Sequence, residues 1–186
     1  MEHPLISILL CTYNGAQYLE EQIQSILNQT YTNIEVIISD DASTDDTCSI
    51  IRKYSSNAKF IINLNQANVG LNKNIESAAA LSNGHFICFS DQDDIWLPEK
   101  IEHLYNAIDK YSLIYSDSML IDAKGKYLNK NLSDFRKLQD VFDSKGFSVD
   151  NAVSGHSMMA TKETLKWAFP IPEGHFYDWW IAIQAS

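Results

Sequence analysis

Seven-residue apolar runs alternating with helical spacing constrain this chain more than any other feature of its sequence. LISILLC (Leu5–Cys11), IEVIISD (Ile34–Asp40), KFIINLN (Lys59–Asn65) and HFICFSD (His85–Asp91) are short and mostly apolar, as expected of strands buried on both faces. Between them, YLEEQIQSILNQ carries Tyr18, Leu19, Ile23, Ile26 and Leu27 at helical spacing, and LNKNIESAAALS predicts a helix with Leu71, Ile75, Ala78, Ala79 and Leu81 inward. A helix after the second strand takes Ser43 or Thr44 as its cap, with Asp45 and Asp46 in its first turn. Pro98 opens a fourth helix. A β-α-β-α-β-α-β-α series predicts an α/β fold, a Rossmann-like, mostly parallel sheet flanked by helices. After Tyr111 the rhythm changes. SLIYSDSMLIDAKGKYL reads as a strand and then a hairpin turn at Lys124-Gly125, and Leu132 to Asp150 is polar and loop-rich. Residues 1–111 thus form the α/β half, and 112–186 a smaller second half of the same domain.

At 186 residues and 45% hydrophobic, the chain is sized for one domain with a real core. Its formal net charge of −10 argues against a nucleic-acid partner, whose phosphates would be repelled, and suits cation binding or solubility. Cys11, Cys48 and Cys88 show no CxxC spacing, so a disulfide framework or zinc site is not expected. No signal peptide or membrane-spanning stretch is read, and a cytoplasmic location follows as the expectation. The ending DWWIAIQAS lies within an apolar helical pattern with no stop signal, which suggests a chain truncated at its C-terminus.

In open α/β sheets, ligands bind beyond the carboxyl ends of the strands. Here those ends read CTYNG, SDDAS, NQANVG and SDQDD. Each alone is ordinary turn chemistry. Together they put carboxylates and carboxamides along one rim, with Asp91, Asp93 and Asp94 crowded directly after an apolar run. Like charges so close are tolerable where a cation sits among them.

The stretches ISILLCTYNGAQYLEEQIQSILNQTYTNIEVIISDDASTDDT, NVGLNKN, FSDQDDIWLPEKI, YSDSMLID, GHSMMA and FYDWW resemble glycosyltransferase family 2, over nearly the whole chain. DQDDIWLP and DWW are most similar to its bacterial rhamnosyltransferase-type members. The resemblance implies a GT-A fold and inverting transfer from a nucleotide-diphosphate sugar, UDP- or dTDP-linked, with Mn²⁺ or Mg²⁺ as cofactor. It implies a saccharide or lipid-linked saccharide acceptor in cell-surface polysaccharide synthesis, with peripheral association at the inner membrane face. Residues 1–111 then form the nucleotide-sugar half and 112–186 the acceptor side.

By the same resemblance Thr12, Tyr13 and Asn14 meet the nucleotide, Tyr13 stacking on the base, and Asp41 accepts an imide hydrogen of uracil or thymine, as an acceptor-only carboxylate can. Asn68 and Gly70 lie against the donor or shape their own turn, while Lys73 either faces the diphosphate or is solvated. Asp91-Gln92-Asp93 resembles the Asp-x-Asp motif: Asp93 binds the metal, Asp91 the ribose or a metal-bound water, and Asp94 the sugar or its loop. An extended segment would turn Asp91 and Asp93 to one side. Asp178 is the implied base, and by its residue type also a candidate N-cap of the last helix. Trp179 and Trp180 are read as a sugar platform or as core. His85, His103 and His156 have no metal-ligand spacing and are read as bystanders. Three other readings are a catalytically idle sugar-nucleotide-binding module, a phosphate-receiving signalling domain and a nucleotidyltransferase. The second wants an acidic pair ending strand one, and the third a glycine-rich basic first loop; CTYNGAQ supplies neither.

Overall fold

A computed structural model of the chain describes residues 3–138 and 153–186. Much of the stretch expected to be loop-rich, from residue 139 onward, therefore lies outside the described residues. Four parallel strands form the centre: β1 (Ile6–Thr12), β2 (Ile34–Asp40), β3 (Phe60–Leu64) and β4 (Phe86–Ser90). The helices α1 (Leu19–Leu27), α2 (Thr47–Arg52), α3 (Leu71–Ala80) and α4 (Lys100–Ile108) alternate with them. β5 (Leu113–Tyr115) follows, then a separate hairpin of β6 (Met119–Ile121) and β7 (Tyr127–Asn131). The chain returns through β8 (Met158–Thr161), α5 (Lys162–Ala168) and α6 (Tyr177–Ala185). The main sheet runs β3-β2-β1-β4-β8-β5, with β8 antiparallel to both neighbours.

Apolar side chains fill both faces. Ile6, Ile8 and Leu10 of β1 point to one side, against Ile23 of α1 and Ile101 of α4. Leu9 of β1 joins Ile75 of α3 and Ile181 of α6 on the other. This is the period-two division of a strand covered twice. The chain reverses direction across the sheet between β1 and β4, since β2 and β3 lie to one side of β1 and β4 to the other. Such a switch point opens a crevice at the carboxyl ends of the strands.

Several local expectations are corrected. Helix α2 is capped at Asp46 rather than Ser43 or Thr44. Those two side chains join the turn instead, Ser43 donating to Asp40 (2.6 Å) and Thr44 to Asn14. Helix α4 begins at Lys100, after a cap at Glu99, and not at Pro98. On α3, Leu71 and Leu81 are exposed, and Asn74 is buried in their place. Its amide bonds Ser39 and Asn65 beneath the sheet rim, so polar satisfaction overrides apolar period there. Strand β8 was not expected at all.

Helix α1 and the turn after it carry buried polar side chains: Gln22 and Ser25, which helical spacing places on one face, and Gln29 just beyond the helix end. With its amide turned to satisfy every partner, Gln22 donates to the Asp94 carbonyl (2.6 Å) and accepts from Ser90 Oγ and Trp96 Nε1. Ser25 Oγ accepts from Trp96 N (3.0 Å). Gln29 donates to the Leu97 carbonyl (2.8 Å) and accepts from Ile101 N. The segment from Asp94 to Ile101 is anchored by these side chains. Replacing Gln22 with Leu leaves buried partners unpaired, and should lower stability by about 2–3 kcal/mol. A urea-unfolding midpoint equal to that of the unaltered protein would reject this anchoring role.

Candidate active site

The segment after β4 is a turn, not an extended strand end. The expected same-side pairing of Asp91 and Asp93 therefore rests on a geometry the backbone does not adopt. Across the turn Asp91 and Asp94 draw together, and His156 joins them from the 3₁₀ turn Gly155–Ser157. One ligand atom from each of the three lies within 4.8 Å of the others. His156 Nδ1 stands 3.8 Å from Asp91 Oδ2. Asp93 is exposed at the tip, lining a hollow of about 260 Å³ with Tyr18, Glu21, Asp94 and Asp122 beneath the β6–β7 hairpin.

Burial is the main cause that raises the Asp91 carboxyl to about 6, followed by the negative charge of Asp94. Asp94 is also raised to about 6, again chiefly by burial. Behind them lies Lys100, whose ammonium burial lowers to about 8 while the charges of Asp94 and Asp91 oppose the shift. Its Nζ donates to the His156 carbonyl (2.6 Å) and sits 4.1 Å from the centre of the Trp96 ring. Burial and the Lys100 charge push the His156 imidazole down, against an upward pull from Asp91 and Asp178. Oδ2 of Asp94 is buried without a hydrogen-bond partner among the described residues. A cation among these groups would satisfy that oxygen and relieve the carboxylate repulsion, so the donor set fits a divalent ion.

Asp178 lies in the first turn of α6 rather than at its cap, which is Phe176. Its Oδ1 accepts from Trp179 N (2.8 Å) and its Oδ2 from Gly155 N (3.3 Å). The charge of Asp178 acts on both Asp91 and His156, so it lies within electrostatic range of them. Tyr177 is buried next to it, its phenol raised well above the usual range by burial and then by Asp91. Trp180 donates its indole N–H to the Ala168 carbonyl (2.6 Å) and packs on the core, whereas Trp179 is at the surface.

On the opposite side of the crevice, Tyr13 is exposed and its backbone is gripped by Gln92. Tyr13 N donates to Gln92 Oε1 (2.9 Å), and Gln92 Nε2 donates back to the Tyr13 carbonyl (3.1 Å). A side chain at Gly15 would displace that amide from its two bonds to Tyr13. Thr12 is buried with its hydroxyl on Asp40 (2.8 Å). Asn14 takes a positive φ of 50° and accepts from Thr44 N (2.9 Å). Asp41 is buried, with Oδ1 accepting from Asn65 Nδ2 and Val69 N and Oδ2 from Gly70 N. Gly70 has φ 85°, a left-handed conformation that favours glycine, at the cap of α3. Asn68 is exposed, and Lys73 is exposed and paired with Glu76 (2.9 Å). Sequence spacing gave no hint of His156, because 62 residues separate it from Asp94. The signal lay in GHSMMA, whose glycine packs under Tyr177 and presents the imidazole.

The chain is 37% identical over 166 residues to the dTDP-rhamnosyl transferase RfbG of Shigella flexneri, covering 84% of this chain and 55% of that protein. It spans from 19% to 67% of the other curated relatives compared. Among solved structures, S. aureus TarS 1-349 in complex with UDP-GlcNAc superposes with a TM-score of 0.73 at 22% identity, over 97% of this chain and 52% of that one. Mannosyltransferase PcManGT from Pyrobaculum calidifontis, in complex with GDP-Man and Mn²⁺, gives 0.73 at 20% identity, over 99% and 53%. These two likenesses establish the fold, a GT-A architecture. The profile of "Glycosyl transferase family 2" matches residues 7–166, and the chain belongs to that family.

Proposed function

We propose that this chain transfers a sugar from a nucleotide-diphosphate donor to an acceptor hydroxyl, with inversion at the anomeric carbon. The observation that carries the reading is the meeting of Asp91, Asp94 and His156 at the switch-point crevice, with Asp178 within electrostatic range. Tyr13, fixed by Gln92 and open to solvent, offers an aromatic face to the nucleobase. Asp41 Oδ2 takes one N–H, from Gly70, which leaves acceptor capacity for an imide hydrogen. That selects uracil or thymine and favours UDP- or dTDP-sugars, in keeping with the likeness to a dTDP-rhamnosyl transferase. Asn68 and Gly70 border the same end of the crevice.

Asp91, Asp93 and Asp94 would hold Mn²⁺ or Mg²⁺, which supplies positive charge to the diphosphate oxygens when bound. Exposed Asp93 is the member of the turn most open to a ligand arriving from solvent. Asp178 accepts the proton of the acceptor hydroxyl as its oxygen attacks the anomeric carbon and the bond to the nucleoside diphosphate breaks. Its two backbone N–H contacts hold the carboxylate in place for that task. Assembly of bacterial cell-surface polysaccharide, at the inner face of the membrane, is the setting proposed. Among the described residues no helix is long and apolar enough to cross a membrane.

Replacing Asp178 with Asn should leave donor binding within about twofold while transfer falls by roughly 10²–10⁴. Near-normal transfer by that variant excludes Asp178 as the base. Replacing Asp93 with Ala should remove the metal-dependent part of donor binding, measured calorimetrically with Mn²⁺ and again with EDTA. Titrations identical to those of the unaltered protein in both conditions reject its role. A thermal-shift panel with Mn²⁺ should show a raised melting point with UDP- or dTDP-sugars and none with GDP-sugars, since a ligand bound only by the folded state stabilises it by mass action. Stabilisation by GDP-sugars alone overturns the assignment of Asp41.

A further inference from the structure

His156 is held more firmly than a bystander needs to be. A side chain at the preceding Gly155 would collide with the Tyr177 hydroxyl, so this turn lies flush against α6. The His156 carbonyl accepts from the buried Lys100 ammonium, and Nε2 shares a hydrogen bond with Ser118 Oγ (2.9 Å). Contacts from three separate elements thus aim one ring. Its Nδ1, 3.8 Å from Asp91 Oδ2, is too far for a hydrogen bond. Two metal–ligand bonds of about 2.1 Å each can span up to about 4.2 Å, so that gap suits two ligands sharing one ion.

We infer that His156 is a nitrogen ligand of the cation site, beside Asp91 and Asp94, and biases that site toward Mn²⁺ over Mg²⁺. This rests on the proposed reading of the acidic turn as a dication site. In the tautomer whose Nε2–H donates to Ser118, Nδ1 bears the lone pair on the side of Asp91, which is how a neighbour outside the ligand set fixes a metal-binding imidazole. Asp94 Oδ2, buried and unpartnered among the described residues, is the adjoining oxygen donor. Mg²⁺ favours an all-oxygen octahedron, whereas imidazole suits later divalent metals, so one nitrogen tilts a carboxylate site toward the transition ion. Were His156 only an ion-pair partner of Asp91, its removal would free that carboxylate and leave both metals bound as well or better.

The test uses the chain with Mn²⁺ and inorganic pyrophosphate, following bound Mn²⁺ by electron paramagnetic resonance and Mg²⁺ by competition. His156→Ala should weaken Mn²⁺ by on the order of tenfold or more and change Mg²⁺ by less than about threefold. Ser118→Ala should shift the ratio the same way, by less. Spin-echo spectra of the unaltered protein should show nitrogen hyperfine coupling to Mn²⁺ that disappears in His156→Ala, a readout that does not depend on the variant's affinity alone. An unchanged Mn²⁺-to-Mg²⁺ ratio in His156→Ala, or no nitrogen coupling in the unaltered protein despite bound Mn²⁺, overturns the inference and spares the cation reading. An unaltered protein that binds neither metal overturns both.

Discussion

The architecture around the site is organised against the mutual repulsion of half-buried carboxylates. Asp91 and Asp94 are raised to about 6 because burial disfavours their charge and each lies near other negative groups. An isolated acidic turn would splay apart. This one is restrained from behind, where Gln22 and Ser25 of α1 hold its backbone and Lys100 supplies a buried positive charge. The cost of gathering the acids is borne by hydrogen bonds in a helix far away in sequence. A bound dication would turn the remaining repulsion into attraction, and would offer a partner to the buried Asp94 Oδ2, which has none among the described residues.

The two sides of the crevice are also locked to each other. Gln92, the middle residue of the acidic motif, bonds both backbone polar groups of Tyr13 and so ties the turn after β4 to the loop after β1. The loop after β1 is tied in turn to the loop after β2 through Asn14, Ser43 and Thr44. Asp41 then fastens the loop before α3 by its amides. Each loop is thereby fixed by its neighbour along the rim. Under the proposed function, this cross-bracing would hold base, diphosphate and sugar in one register, and positioning contributes directly to rate.

Much of this was legible in the residues. The four parallel strands and their helices follow from apolar runs of seven alternating with helical spacing, and the rim of acids and amides follows from where those runs end. The hairpin turn at Lys124-Gly125 was readable from its glycine, which takes φ 74°. What escaped was decided by contacts between distant segments. MMAT of β8 is too short to carry a period, and it is a strand because β4 and β5 flank it. The buried face of α3 includes Asn74 because Ser39 and Asn65 need its amide. The cap of α2 moved because Ser43 bonds back to Asp40 in its own turn and Thr44 found Asn14 on the neighbouring loop.

By itself the sequence determined the fold class, the end of the sheet where polar loops gather, and the acidic character of that end. Those properties depend on local period and on residue type, which a linear chain displays directly. Only the tertiary structure decided which acids face one another, that a histidine from the far side of the chain joins them, and that Asp178 lies within range of their charges. Such pairings depend on the turn after β4 and on an antiparallel strand inserted beside it. A turn sets side-chain direction through backbone angles that polar residues adopt in many ways, so the chain needed its neighbours to choose one.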